Sequence, residues 1–211
     1  MTDTDRAAST LARVAAAHRA LEADLWAQTL DVRAPSRLPG WSVGHVLTHL
    51  ARNADSVVRR LEASHAGMVV EQYEGGLEGR ATQIEAGAQR PYAVQREDVI
   101  QTAAAIERLV PTLSPSTWSF ETVASSGELQ PGLVVLARRE LEVVLHHTDL
   151  GRGFEPASWP QPLVDELVDE GLDLLSARAD PSALAGWFTD RAEPPPLRSW
   201  TPPARPGPQR T

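Results

Sequence analysis

The sequence predicts an all-α protein: a four-helix bundle with an added C-terminal helical segment and a Pro-rich tail. Three observations carry this. Apolar residues recur at three- and four-residue steps through four long segments, the spacing of helices that each bury one stripe. Pro and Gly cluster in the connectors between those segments. The 211-residue chain is 42% hydrophobic and 23% charged, an ordinary balance for a globular domain with a small appendage.

The first helix is expected from about Asp5 to Gln28, where Leu11, Val14, His18, Leu21 and Leu25 share a face. His18 thus lies on an apolar stripe, as a buried hydrogen-bonded imidazole or as a group facing a substrate cavity. Arg33 to Gly40 is a connector broken by Pro35, Pro39 and Gly40. Ser42 is placed to cap a second helix that runs to about Ser64 over Val43, Val46, Leu47, Leu50, Ala54, Val57 and Leu61. At about 100° per residue, His49 and Asn53 fall on one flank of this stripe and His45 nearly opposite it. His49, not His45, is therefore expected to look into the bundle.

Gly67 to Gly79 reads as a loop, followed by a short helix from Leu77 to Ala88 that carries Arg80. Arg80 is either a carboxylate clamp, given the two-pronged guanidinium, or a surface arginine. A third long helix is expected from Arg96 to Leu113. Ser114 to Pro131 is a long connector in which Phe120, Thr122 and Val123 suit a short extended piece. The fourth long helix spans about Gly132 to Leu150, stopped by Gly151 and Gly153, with Val134, Ala137, Leu141 and Leu145 as its apolar stripe. Glu142 and His146, four apart, share one flank; Glu140 and His147 project to the other. Arg138 and Arg139 are available as ordinary salt-bridge partners of Glu142. A further helix is expected from Leu163 to Ala177, then a short one opened by Asp180-Pro181 and ending near Phe188. From Glu193 the chain is Pro-rich, through Pro194-Pro195-Pro196 and Pro202-Pro203, with Leu197 and Trp200 as the residues that would dock it. The expected division is 1–155 for the bundle, 156–192 for the helical extension and 193–211 for the tail.

Composition narrows the function. Net charge is −8, which disfavours nucleic acid as a partner, and all 20 basic residues are Arg. No Cys occurs, so no disulfide and no protein thiol takes part, and any thiol chemistry needs a thiol from outside. The acidic start Met1-Thr2-Asp3-Thr4-Asp5 is unlike a signal peptide, and no apolar run reaches membrane-spanning length. A cytoplasmic monomer or homodimer acting on a small molecule is expected.

Two imidazoles and a carboxylate form a facial ligand set that leaves positions open on a divalent ion. Glu142 and His146 offer two such ligands from one helix, and His49 offers the third from a facing helix, as bundle-core metal sites are built. The bland alternative is a solvated His–Glu pair with a separately buried His49.

The run Gly40-Trp41-Ser42-x-x-His45-x-x-x-His49-Leu50-Ala51-x-Asn53-Ala54 resembles the opening motif of the mycothiol-dependent maleylpyruvate isomerase family, relatives of the DinB-like four-helix metalloproteins. Arg139-Glu140-Leu141-Glu142-Val143-Val144-Leu145-His146-His147-Thr148-Asp149-Leu150-Gly151 resembles its second motif. The resemblance covers roughly residues 5–155. It implies a DinB-like bundle, with metal ligands at His49, Glu142 and His146, Zn²⁺ as the leading ion, and mycothiol as the thiol cosubstrate. It also implies substrate contact for Arg80, and a cis–trans isomerase of a maleylpyruvate-like substrate or a thiol transferase. Asn53 and His18 are further candidates for substrate contact or proton transfer, and Asp149 for orienting a ligand histidine. Typical members of the family continue into an α/β domain, whereas only about 60 residues follow Leu150 here. A non-catalytic metal-binding or partner-binding bundle is the alternative.

Overall fold

The computed structural model describes residues 1–198, apart from the side chain of Asp173. The described chain divides into two compact units, one of residues 1–155 and one beginning at residue 156. The first unit is the bundle. Its long helices are α1 (Asp3–Ala27), α2 (Val43–His65), α4 (Tyr92–Leu109) and α5 (Gly132–Asp149), with the short α3 (Gly76–Gly87) against α2. Cross-helix bonds give the directions. Thr48–Gln95 and Arg52–Asp98 advance together, so α2 and α4 run parallel. His18–Arg139 and Asp24–His147 do the same for α1 and α5. His49–Glu142 and Asn53–Arg139 advance in opposite senses, so α2 and α5 are antiparallel. The order is up-down-down-up. Among the described residues, no helix is long and apolar enough to cross a membrane.

Local chemistry sets the helix ends. Thr2 and Asp5 form a reciprocal capping box at α1. Ser42 caps α2 as the sequence predicts, and the chain before it helps. The carbonyls of Ala34 and Val32 accept from Val43 N and Gly44 N at 2.9 Å each, satisfying donors a helix start leaves open. The same connector is tied to the end of α5, through Arg37 N to the Asp149 carbonyl at 2.9 Å and an Arg37–Glu155 ion pair. The start of α2 is thereby held beside the end of α5.

One half of the bundle is apolar: Val14, Ala54, Val57, Leu61, Ile106, Val110, Trp118, Val135 and Leu136 pack as a buried cluster. Two expectations need correction. α4 starts at Tyr92, four residues before Arg96. Pro91, with φ −54°, is its N-cap and leads directly into the helix. At its other end, Val110–Thr112 tightens to 3₁₀ geometry around Pro111, whose missing N–H cannot continue the helix. In α5 the expected stripe is misphased. Ala137 is exposed and Val134, Leu141 and Leu145 are half-buried, whereas Val135, Leu136, Val143 and Val144 are buried together with Arg139, Glu140, His147 and Thr148. Polar side chains at inward positions broke the apolar pattern.

The connector after α4 contains a hairpin, β1 (Glu121–Val123) antiparallel to β2 (Leu129–Pro131), at the place read as extended. In the second unit, α6 spans Gln161–Arg178 and α7 spans Pro181–Phe188, the latter capped by Asp180 Oδ1 accepting from Ala183 N at 2.9 Å. The expectations for Trp200 and Pro202-Pro203 lie outside the described residues.

Candidate metal centre

The site is assembled where the start of α2 meets the end of α5. On α2, Ser42 and His45 form the capping box: Ser42 N donates to His45 Nδ1 at 3.1 Å, and His45 Nε2 then donates to Glu85 at 3.1 Å. His45 is therefore a structural partner of its own helix start, with both nitrogens engaged. His49, one turn on, is buried and faces α5. α3 crosses α2 very closely here, because a Cβ on Gly44 would lie 2.0 Å from the Ala88 carbonyl oxygen. That close pass carries Arg80 to His49.

His49 Nε2 lies 3.0 Å from Glu142 Oε2, and His146 Nε2 lies 3.4 Å from the same oxygen. The ligand atoms of the three residues all fall within 4.8 Å of one another. Ligands about 2.0–2.2 Å from one ion are separated by roughly 3–3.5 Å, so the two Glu142 distances match a shared centre. The two imidazole rings stand nearly perpendicular, at 84° with centroids 4.7 Å apart. Phase on α2 singled out His49, the i,i+4 spacing singled out Glu142 and His146, and the fold brings the ligand atoms of the three within 4.8 Å of one another.

The residues behind the cluster suit a metal on one side and raise a proton question on the other. His146 Nδ1 donates to Asp149 Oδ2 at 2.8 Å. A carboxylate on the outer nitrogen fixes the tautomer and leaves Nε2 free to coordinate. His49 Nδ1 instead accepts from Arg80 Nη2 at 3.3 Å. Arginine only donates, so in this arrangement the proton of neutral His49 sits on Nε2 and points at Glu142. An ion held through Nε2 would require the His49 proton on Nδ1, and Arg80 Nη2 would then need another acceptor. Arg80 has room between two rings, 5.6 Å from the centroids of both Trp41 and Tyr73. Trp41 also meets His49 edge-on at 5.5 Å.

Burial pushes the His49 pKa down to about 4 against the pull of Glu142, so this ring is neutral near pH 7. Burial opposes charge on His146 too, but its bonds to Asp149 and Glu142 outweigh it and raise its pKa to about 9. Burial alone would raise the Glu142 pKa; hydrogen bonds from His146 and His49 hold it well below the usual carboxylate value. The set is a carboxylate, an imidazolium and a neutral imidazole, and its donor chemistry fits a divalent ion once His146 gives up a proton.

The other candidates lie elsewhere. Asn53 Oδ1 accepts from Arg139 Nη1 at 2.7 Å, inside the bundle. His18 bonds Glu107 and Arg139 and is not part of the cluster. Glu140 and His147 turn toward α1, where Arg13 and Asp24 pair with them at 2.8 Å each. Of the two arginines available to Glu142, Arg139 feels its charge, but its hydrogen bonds go to His18, Leu50 and Asn53. Reasoning from sequence did not assign roles to Trp41 or Tyr73. Trp41 stands directly before the Ser42 cap and eight residues before His49, and its ring lies against both His49 and Arg80.

Known proteins share this fold. Two solved structures, the mycothiol-dependent maleylpyruvate isomerase and a histidine-to-alanine mutant of it, each superpose with a TM-score of 0.73. Each shares 22% identity over 81% of this chain and 71% of its own, a likeness of fold. No curated protein matches the sequence. The family described as mycothiol maleylpyruvate isomerase N-terminal domain matches residues 11–151, which include all three cluster residues and both motifs, and the chain belongs to that family.

Proposed function

We propose that the chain is a metal-dependent enzyme that uses a low-molecular-weight thiol, mycothiol, on a small anionic substrate. It either isomerises a maleylpyruvate-like cis-enone or transfers the thiol to an electrophile. The observation that carries this reading is the convergence of His49 Nε2, Glu142 Oε2 and His146 Nε2, with 3.0 and 3.4 Å to the shared oxygen, in a chain of this family. Held by these three, a divalent ion, Zn²⁺ foremost, supplies a Lewis acid that lowers the pKa of a thiol toward neutrality. The thiol comes from a second molecule, because the chain has no Cys to compete for the ion or for the electrophile.

The chain's own residues prepare the site. Asp149 orients His146 by accepting from its Nδ1. Glu142 stays ionised, and His49 stays neutral at pH 7. Arg80, held between Trp41 and Tyr73, offers paired donors to a substrate carboxylate. Such an anion supplies the acceptor that Arg80 needs when His49 Nδ1 carries the proton. Tyr73 also lines a cleft with Leu77, Val123 and Ser125, to which Arg80 and the three cluster residues do not contribute.

Two measurements test this. Elemental analysis of untagged protein is expected to find near one equivalent of a divalent metal; less than about a tenth of an equivalent rejects the metal site. Incubation with mycothiol and a panel of cis-enones and electrophiles then separates the chemistries. Isomerisation changes substrate geometry with total thiol constant, and transfer consumes thiol. Metal binding with neither outcome assigns the protein to the non-catalytic alternative. Full turnover by His49→Ala would rule out the mechanism.

A further inference from the structure

One turn beneath the cluster, a hydrogen-bond chain crosses all four long helices. Glu107 on α4 accepts from His18 Nδ1 on α1 at 2.9 Å. His18 Nε2 accepts from Arg139 Nε on α5 at 3.2 Å. Arg139 Nη1 donates to Asn53 Oδ1 at 2.7 Å and to the Leu50 carbonyl at 2.9 Å, both on α2. The proton order is fixed. Arg139 only donates, so His18 Nε2 carries the lone pair and its Nδ1 the hydrogen that Glu107 receives.

Arg139 has 0% exposure, and its hydrogen-bond partners, His18 Nε2, the Leu50 carbonyl and Asn53 Oδ1, are neutral. Its Nη2 is buried without a hydrogen-bond partner. A guanidinium in this position is costly to desolvate, and replacing buried ionic groups with apolar ones is often neutral or stabilising. Stability alone is therefore a poor reason to keep it. Its placement supplies another. Arg139 precedes Glu142 by three residues, and Leu50 and Asn53 follow His49 by one and four. The same side chain thus ties the two backbones that carry His49 and Glu142, directly below the point where those ligands meet.

We propose that Arg139 is a positioning residue of the site: through Asn53 and the Leu50 carbonyl it sets the separation of His49 from Glu142, and His18 and Glu107 brace it from α1 and α4. This rests on the metal-site reading above. It assigns His18 and Asn53 to the layer that holds the site and not to contact with substrate. Outer partners of metal ligands commonly change affinity by about 10–100-fold when removed.

The test uses the full chain and Co²⁺, whose visible d–d bands report coordination geometry. Arg139→Met is expected to stay folded, to bind Co²⁺ about tenfold or more weakly, and to shift the band positions. Asn53→Ala is expected to move both readouts the same way by less, and Asn53→Asp, which keeps an acceptor for Arg139, to restore most of the wild-type spectrum. Val57→Ala, a core truncation on the same helix, lowers the melting temperature and is expected to leave the Co²⁺ spectrum unchanged. Should Arg139→Met not fold, the Asn53 pair decides. If the wild-type protein binds no Co²⁺, the metal reading falls and this inference with it. If the wild type binds and the Arg139 and Asn53 variants match it in affinity and spectrum, the positioning role alone is overturned. It is overturned equally if Val57→Ala shifts the spectrum as they do.

Discussion

His18 is the sharpest place to test how the interior is wired. Burial, reinforced by the charges of Arg139 and Arg19, pushes its pKa from 6.5 to about 2 in the folded protein. In the unfolded chain it titrates near 6.5. Below 6.5 the unfolded state therefore takes up a proton that the folded state refuses, and stability falls as pH falls toward 2. Between pH 7 and 4.5 the drop spans two units below 6.5, worth ~2–3 kcal/mol at 1.36 kcal/mol per unit. Glu107, whose own pKa is raised by burial, binds its proton more readily when folded and offsets part of this. Urea unfolding of the wild type and His18→Gln at both pH values isolates the residue, since glutamine can donate to Glu107 and accept from Arg139 without titrating. The variant is expected to lose ~2 kcal/mol less on acidification. Equal acid sensitivity of the two proteins, or a His18 pKa near 6.5 by NMR, would refute the neutral brace and revive a proton-carrying His18.

Three other outcomes follow from the same geometry. Because the His146 pKa is raised to about 9, a metal ion has to displace its proton at pH 7; Zn²⁺ affinity is expected to rise ~tenfold per pH unit from 7 to 9, and a flat competition titration contradicts this. Arg80→Gln is expected to raise KM for an anionic substrate ~tenfold or more with metal content unchanged, so steady-state kinetics paired with elemental analysis checks its role. Gly44→Ala places a Cβ 2.0 Å from the Ala88 carbonyl oxygen and is expected to cost ~1–3 kcal/mol in thermal unfolding, with an unchanged melting temperature counting against the close α2–α3 crossing.

How much of this was legible in the sequence differs between the two helices of the site. In α2 the predicted stripe Val43, Val46, Leu47, Leu50, Ala54, Val57 and Leu61 is buried throughout, although Thr48, Asn53, Ser56 and Arg60 are buried beside it, so periodicity located the helix, its Ser42 cap and the inward phase of His49. In α5 the inward face holds Arg139, Glu140, His147 and Thr148 among its valines, so the apolar stripe pointed to the wrong phase. Glu142 and His146 were still identifiable, because their i,i+4 spacing and the resemblance do not depend on which stripe is buried. Tertiary partners were hidden. Nothing local in the sequence says that Arg139 meets His18 and Asn53, 121 and 86 residues away. The start of α4 was hidden differently: Pro91 reads as a loop residue, although proline just before a helix is also a start signal.

The buried polarity of α5 bears on what the site attracts. Without a metal, imidazolium His146 stands against ionised Glu142, and the guanidiniums of Arg80 and Arg139 add positive charge around them. A divalent ion brings two charges and displaces one proton, so the same groups become more positive by one. The chain as a whole carries −8, so this electropositive interior is a local property of the site. On the proposed metal reading, an anionic ligand would therefore be held more tightly after the metal than before it. Arg80 would reinforce that order, because an ion on His49 Nε2 would put the His49 proton on Nδ1 and leave Arg80 Nη2 in need of another acceptor. Binding of a carboxylate substrate analogue should accordingly weaken when the protein is stripped of metal, even with Arg80 intact.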